Sequence, residues 1–251
     1  MRLRTFLFGL MSMSVFCVVC CWAQTPNAET INRMESILAA ADRPAKQRER
    51  DAARKPEIAF VLPYIKEGDR VLDLGATAGY MSMILSGAVG AKGHVDAQNP
   101  ADWVEHFKLG DALNALTQLR PNISLLTVDF EAVAKPSPPY DAIFAGLMYH
   151  DTFNNPNHDE AKMDKALWAA LRPGGYLIMT DHQAQAGSGA RDTKTLHRID
   201  KQKVMSDLIQ AGFKLVLDSP VLNSQDDDES LAIFNPKVRG HTNRLALVFQ
   251  K

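Results

Sequence analysis

Residues 70–80 read R-V-L-D-L-G-A-T-A-G-Y, and the architecture follows from how that stretch must behave. Val71, Leu72 and Leu74 form an apolar run with β propensity, too short for a helix and bounded by Gly68 and Gly75. Gly75 and Gly79 then bracket a tight turn, and residues 80–86 (Y-M-S-M-I-L-S) continue with helix-compatible side chains. A strand feeding a glycine turn feeding a helix directs backbone N–H groups and a positive dipole end outward, where glycine lets a ligand approach closely. Asp73 sits just before the turn, placed to accept from a ligand amine or to brace the loop.

Downstream, strand and helix signals alternate. Residues 93–99 (G-H-V-D-A-Q-N) predict a second strand, 102–110 a helix carrying Trp103 and Phe107, and 123–129 (I-S-L-L-T-V-D) a third strand. Trp103 is expected to be a packing residue. Residues 141–146 (D-A-I-F-A-G) are continuously apolar after their first residue, as in a strand buried in a parallel sheet. A helix over 160–171 ends in the stop-and-turn signal R-P-G-G, followed by a fifth strand over 176–181. A helix over 201–211 closed by Gly212, a strand over 213–218, an acidic mobile loop over 223–230 and a last strand over 245–250 complete the chain. Such alternation predicts an α/β fold with a mostly parallel, doubly wound sheet and helices on both faces. Upstream, residues 29–41 have helical spacing and halt near Pro44, while Pro56 opens a further helix over 57–65. The charged stretch between them predicts a helical cap with solvated charges. Its functional alternative has Arg50 or Arg54 reaching an anionic ligand.

The first 23 residues have the form of a signal peptide. Arg2 and Arg4 precede an apolar run over 6–19, and Cys21-Trp22-Ala23 offers a cleavage site before Gln24. Export to the periplasm or beyond is therefore expected, with an uncleaved inner-membrane anchor or a lipidated cysteine as alternatives. Cys17, Cys20 and Cys21 all fall in this leader, so the mature chain would have neither disulfides nor thiol catalysis. The 251 residues are 46% hydrophobic and 23% charged, and removing the leader takes the net charge from −1 to −3. That balance predicts no nucleic-acid partner and no stable membrane partner after cleavage. The expected organisation is a leader over 1–23, a helical cap over 24–57 and one domain over 58–251.

Taken together, V-L-D-L-G-A-T-A-G, the strand ending Q-N-P, T-V-D-F-E, Y-D-A-I-F-A-G and L-R-P-G-G-Y-L-I-M-T-D resemble the class I S-adenosylmethionine-dependent methyltransferases in order and spacing. The leader and the segments Y-H-D and S-G-A-R-D-T-K-T-L-H-R-I-D are similar to an exported group of bacterial predicted methyltransferases. The resemblance implies a Rossmann-like, seven-stranded sheet and S-adenosylmethionine as cofactor, without a settled substrate; methyl transfer to an unidentified small-molecule acceptor is the expected function. It implies that Asp73, Gly75, Ala76 and Gly79 contact the amino-acid part of the cofactor, Asn99 the ribose, and Asp129 with Phe130 the adenine. Two departures stand out: Thr77 replaces the usual central glycine, and Asn99 replaces the usual ribose-binding acid.

Methyl transfer is an in-line displacement, so the protein aligns the nucleophile and, where needed, removes its proton. Sites on doubly wound sheets lie outside the carboxyl ends of the strands, where three segments converge. They carry Tyr149, His150 and Asp151; Asp181 and His182; and Arg191, His197 and Arg198. His150, His182 and His197 are candidate bases, with Asp151 and Tyr149 beside them; Arg191 and Arg198 are candidate clamps for an anionic substrate. The alternative for these groups is capping and intraloop pairing. The magnesium triad of catechol-type methyltransferases is incomplete, so no metal is expected; a metal-dependent enzyme would use Asp151 with Asp181 and His182. A non-catalytic binding module on the same fold is the other alternative, supported by Thr77 and Asn99.

Overall fold

The computed structural model describes residues 26–133 and 135–251. The leader, its cleavage site and the three cysteines lie outside these residues. Among the described residues, no helix is long and apolar enough to cross a membrane.

Seven strands form one sheet: β1 (Arg70–Leu74), β2 (His94–Asn99), β3 (Ile123–Thr127), β4 (Tyr140–Gly146), β5 (Leu171–His182), β6 (Lys214–Asp218) and β7 (Arg244–Gln250). Their order is β3-β2-β1-β4-β5-β7-β6. All pairings are parallel except those of β7, which runs antiparallel to both neighbours. In β1, Val71 enters the core on one face of the sheet while Leu72 and Leu74 enter the core on the other. An apolar run with period-two geometry supplies both faces at once, which is why a fully buried parallel strand lacks alternation.

Helices cover both faces. One face carries α1 (Ala28–Leu38), α3 (Asp51–Val61), α4 (Tyr80–Val89) and α6 (Gly110–Leu119); the other carries α8 (Glu160–Ala170) and α10 (Lys201–Ala211). Short helices α2 (Ala45–Arg48), α5 (Ala101–His106), α7 (Tyr149–Thr152) and α9 (Thr193–Leu196) lie in the connections between the longer elements. The chain leaves β1 toward β2 and re-enters on β1's other side as β4. The crevice between the carboxyl ends of β1 and β4 is therefore the point where strand order reverses.

Three expectations are corrected here. Pro56 does not open a helix; it lies inside α3. The hydrogen bond lost there is offset by tertiary anchoring, because Asp51 accepts two hydrogen bonds from the Arg43 guanidinium (2.6 and 2.7 Å) and one from Tyr80 (2.9 Å). The helix predicted over 102–110 is α5, which ends at His106, and a separate helix outside that expectation, α6, starts at Gly110. The acidic loop over 223–230 is pinned, since Asp227 forms a buried two-point ion pair with Arg198 (2.7 and 2.8 Å).

Candidate active site

The turn after β1 is a strained corner that the second strand ties down. Gly75, Thr77 and Gly79 all have positive φ (63°, 49° and 77°). For Thr77 this left-handed conformation costs about 1–2 kcal/mol relative to an ordinary one. Asn99 compensates through a reciprocal pair, its Oδ1 accepting from Thr77 N (2.8 Å) and its Nδ2 donating to Thr77 O (3.2 Å). A carboxylate at position 99 could only accept. The two departures from the family pattern thus support each other. Gln98 extends the brace: its Oε1 accepts from Gly75 N (3.0 Å), its Nε2 donates to Val128 O (2.7 Å), and its carbonyl accepts from Ala76 N (2.9 Å).

This corrects the expectation that the corner presents free amides, because the N–H groups of Gly75, Ala76 and Thr77 are all committed within the protein. Asn99 is buried, holds Thr77 with both side-chain heteroatoms and lines neither of the neighbouring cavities. Gly79 serves packing instead, since a Cβ there would fall 2.5 Å from Leu116.

Two neighbouring cavities, here called the lobes of a cleft, lie beside the corner and share lining residues. The first lobe, about 160 Å³, is bounded by Asp73, Gly75, Ala76, Tyr80, Met148 and the Arg50–Arg54 pair. The second, about 120 Å³, is bounded by Asp102, Asp129, Phe130, Glu131 and His158. Trp103 and Asp151 border both lobes. Trp103 also packs edge-on against Phe130 and Phe107 (centroids 5.2 and 5.8 Å), so its packing and its cleft position are one arrangement. The floor of the first lobe is Asp73, which accepts a short hydrogen bond from Ser82 (2.5 Å). Burial pushes its carboxyl up to about 7, against the Ser82 bond that favours the ionised form. Arg50 lies 4.4 Å above the Tyr80 ring, and Arg54 forms an ion pair with buried Glu57. Sequence reasoning assigned Asp102 no role, although its place at the start of α5 is a recognisable signal.

Across the mouth stands the rim formed by the ends of β4 and β5. Asp181 is fully buried and accepts from His150 N (2.8 Å), from His182 N (2.7 Å) and from His150 Nδ1 (2.7 Å). The other His150 nitrogen, Nε2, lies 3.2 Å from Asp151 Oδ1, and His197 Nδ1 lies 3.3 Å from the same oxygen. Burial opposes charge on His150, yet Asp181 and Asp151 outweigh it and push the imidazole up to about 10. Burial also opposes ionisation of Asp151, but His150 and His197 hold it below the usual carboxylate range.

Several sequence-predicted roles fail on this geometry. His150 has both ring nitrogens beside carboxylates that push its pKa up, an arrangement that disfavours a role as base. His182 is driven down to about 3 by burial, and its Nδ1 bonds Thr242 (2.9 Å), so it is a neutral structural residue. Tyr149 is buried on the far side, donating to Asp164 (3.0 Å), and burial raises its phenol well above the ordinary range. Arg198 is wholly buried on Asp227 and on the Gln183 and Leu231 carbonyls, unable to clamp a substrate. Arg191 points to solvent and pairs with its neighbour Asp192. His197 is partly exposed at the rim, with a third of its side chain accessible.

A seven-stranded sheet with reversed β7, a glycine-rich turn at the switch point and an acid closing β1 define this protein as a class I S-adenosylmethionine-dependent methyltransferase. More narrowly, the protein-L-isoaspartate(D-aspartate) O-methyltransferase family profile matches residues 54–210, and the chain belongs to that family. The fold is shared with a SAM-dependent methyltransferase from Aquifex aeolicus, at 20% identity, 86% coverage of this chain, 97% of that one and a TM-score of 0.56. An arsenic(III) S-adenosylmethionine methyltransferase from Chlamydomonas reinhardtii aligns at 16% identity, covering 87% and 72% of the two chains, with a TM-score of 0.57. An S-adenosylmethionine-dependent methyltransferase from Mesorhizobium loti aligns at 14% identity, 79% and 98% coverage and a TM-score of 0.54. No protein of curated function matches the sequence.

Proposed function

We propose that this enzyme binds S-adenosylmethionine along the two-lobed cleft and methylates a small acceptor through an anionic oxygen, and that it does so outside the cytoplasm. The observation that carries the reading is a pair of adjacent cavities that share Trp103 and Asp151, one lined by Asp73 and the other by Asp129 and Phe130. The residues fit the cofactor's chemistry. Asp73, ionised, would receive the ammonium group, with Arg50 or Arg54 for the carboxylate. Asp102 would take over the ribose contact that Asn99 cannot make, and Phe130 with Trp103 would hold the adenine.

When bound, the cofactor supplies a methyl group on a sulfonium that departs as a neutral thioether. The rim then decides the acceptor. His150 is charged and His182 scarcely basic, so the rim offers positive charge in preference to a base. An acceptor that is already anionic, such as a carboxylate, needs no base, and the O-methyltransferase family supports the same choice. His150 would orient that anion, held in place by Asp181. Export is supported by the basic and apolar leader ahead of Gln24.

Calorimetry with S-adenosylmethionine, followed by methyl transfer to a panel of carboxylates, tests the enzyme reading. Micromolar binding, abolished by Asp73→Ala, and base-labile release of methanol from the product are expected. A product stable to base would overturn the carboxylate assignment. N-terminal sequencing of protein recovered from cell fractions tests export, with Gln24 as the expected first residue.

A further inference from the structure

We propose that His150 Nε2, Asp151 Oδ1 and His197 Nδ1 form a site for one divalent transition-metal ion, zinc by preference, at the acceptor end of the cleft. The three atoms lie within 4.8 Å of one another. Two of the separations, 3.2 and 3.3 Å, share the Asp151 oxygen. Both are longer than the ~2.7–2.9 Å of a charge-assisted hydrogen bond. They match the ~3.4 Å edge of a tetrahedron whose centre lies about 2.1 Å from each ligand, the zinc–nitrogen and zinc–oxygen distance.

The surroundings are those of a ligand set held in position. His150 Nδ1 is fixed on buried Asp181, which leaves Nε2 facing Asp151, the carboxylate–histidine arrangement that orients metal-bound imidazoles. His197 follows α9 with a positive φ of 55°, a conformation a non-glycine residue adopts only when its surroundings impose it. Its ring is wedged between His150 (centroids 5.5 Å) and exposed Phe234 (5.0 Å). Next to Asp151, Asn154 keeps its Oδ1 buried without a partner, a further oxygen donor beside the cluster. Two imidazoles and one carboxylate are the protein ligands of several catalytic zinc sites, which keep a fourth position open. Asp151 borders both lobes of the cleft, so that open position would take an anionic oxygen of the acceptor. The site differs from the set read in the sequence. Asp181 supports His150, and His182 is turned to Thr242, so neither joins Asp151 as a ligand. An ion bound here would displace the Nε2 proton of His150 and would itself supply the positive charge that the imidazolium offers the acceptor in its absence; that role rests on the acceptor reading above, whereas the binding does not.

The test uses the full-length protein, stripped with a chelator, dialysed against zinc and analysed for bound metal, with cobalt(II) as the spectroscopic probe. One equivalent of zinc per chain and the intense visible bands of four-coordinate cobalt are expected. In His197→Gln, checked for folding by circular dichroism, zinc affinity should fall at least ~100-fold; Asp151→Asn serves the same purpose from the other partly exposed ligand. Zinc content equal in wild type and both variants, no bound zinc, or a weak six-coordinate cobalt spectrum would each overturn the proposal. Calorimetry with S-adenosylmethionine on the stripped protein separates the two readings. Cofactor binding without zinc binding removes the metal site and keeps the methyltransferase cleft, and zinc binding without cofactor binding does the reverse.

Discussion

Two stretches of the same sheet edge solve opposite problems. At the β1–β2 corner, buried backbone donors and acceptors need partners of both kinds, and the neutral amides Gln98 and Asn99 supply them. At the β4–β5 rim, ionisable groups are buried together, and Asp181 with Asp151 stabilises the His150 imidazolium. The contrast teaches that a glycine-rich corner is not by itself a set of free N–H groups. With three amides spent on holding Thr77 and its neighbours, the groups left to the proposed ligand contacts are Asp73, the aromatic pair and the arginines.

Removing the counter-charge at the rim should have the largest effect. Asp181→Ala leaves a buried imidazolium and two N–H groups without their acceptor, and should cost about 3–5 kcal/mol in urea unfolding; a loss under about 1 kcal/mol would show that the rim is not held electrostatically. The sign with pH follows from His150. Its folded pKa of about 10 exceeds the ordinary 6.5, so its stabilisation is fully present below pH 6.5 and is lost as pH rises toward 10. His150→Gln should flatten that window in unfolding curves taken across it.

At the corner the losses are smaller. Gln98→Ala strands the Gly75 N–H and the Val128 carbonyl and should destabilise by about 1–3 kcal/mol. Asn99→Asp sharpens the comparison further: it should weaken cofactor binding through loss of the Thr77 clamp, and tighter binding would return position 99 to the ribose. Asp73 gives a pH signature of its own. Its folded pKa of about 7 lies above the usual carboxylate value, so it costs stability as pH climbs through that range. A cationic ligand group favours the ionised form, so affinity for S-adenosylmethionine should rise by up to about tenfold per pH unit below 7 and level off above; Asp73→Asn should bind weakly at every pH. Least of all is expected from Arg191→Ala, because this side chain is two-thirds exposed and pairs only with its neighbour Asp192, so turnover should be unchanged; a fall in turnover would restore it as a clamp.

Elements were legible where one local pattern suffices. The helix over 201–211 matches α10 end for end, because an Asp200 cap, an apolar stripe and Gly212 are all local signals. Within the charged segment before β1 the expectation failed, since what makes α3 helical through Pro56 is Arg43 and Tyr80 holding Asp51 from outside. The rim shows the same limit. Tyr149, His150, Arg191 and Arg198 are equally polar in the sequence, yet one faces Asp164, one Asp181, one solvent and one Asp227.

By itself the sequence determined the order of strands and helices, the glycine turn after β1 and the family to which both belong, because hydrophobic period and turn chemistry act over a few residues. Tertiary structure alone decided which side chains meet: Asn99 with Thr77, His150 with Asp181, and His197 with Asp151. Their charge states and free atoms depend on burial and on neighbours 22, 31 and 46 positions away in the chain, and no local pattern encodes those distances.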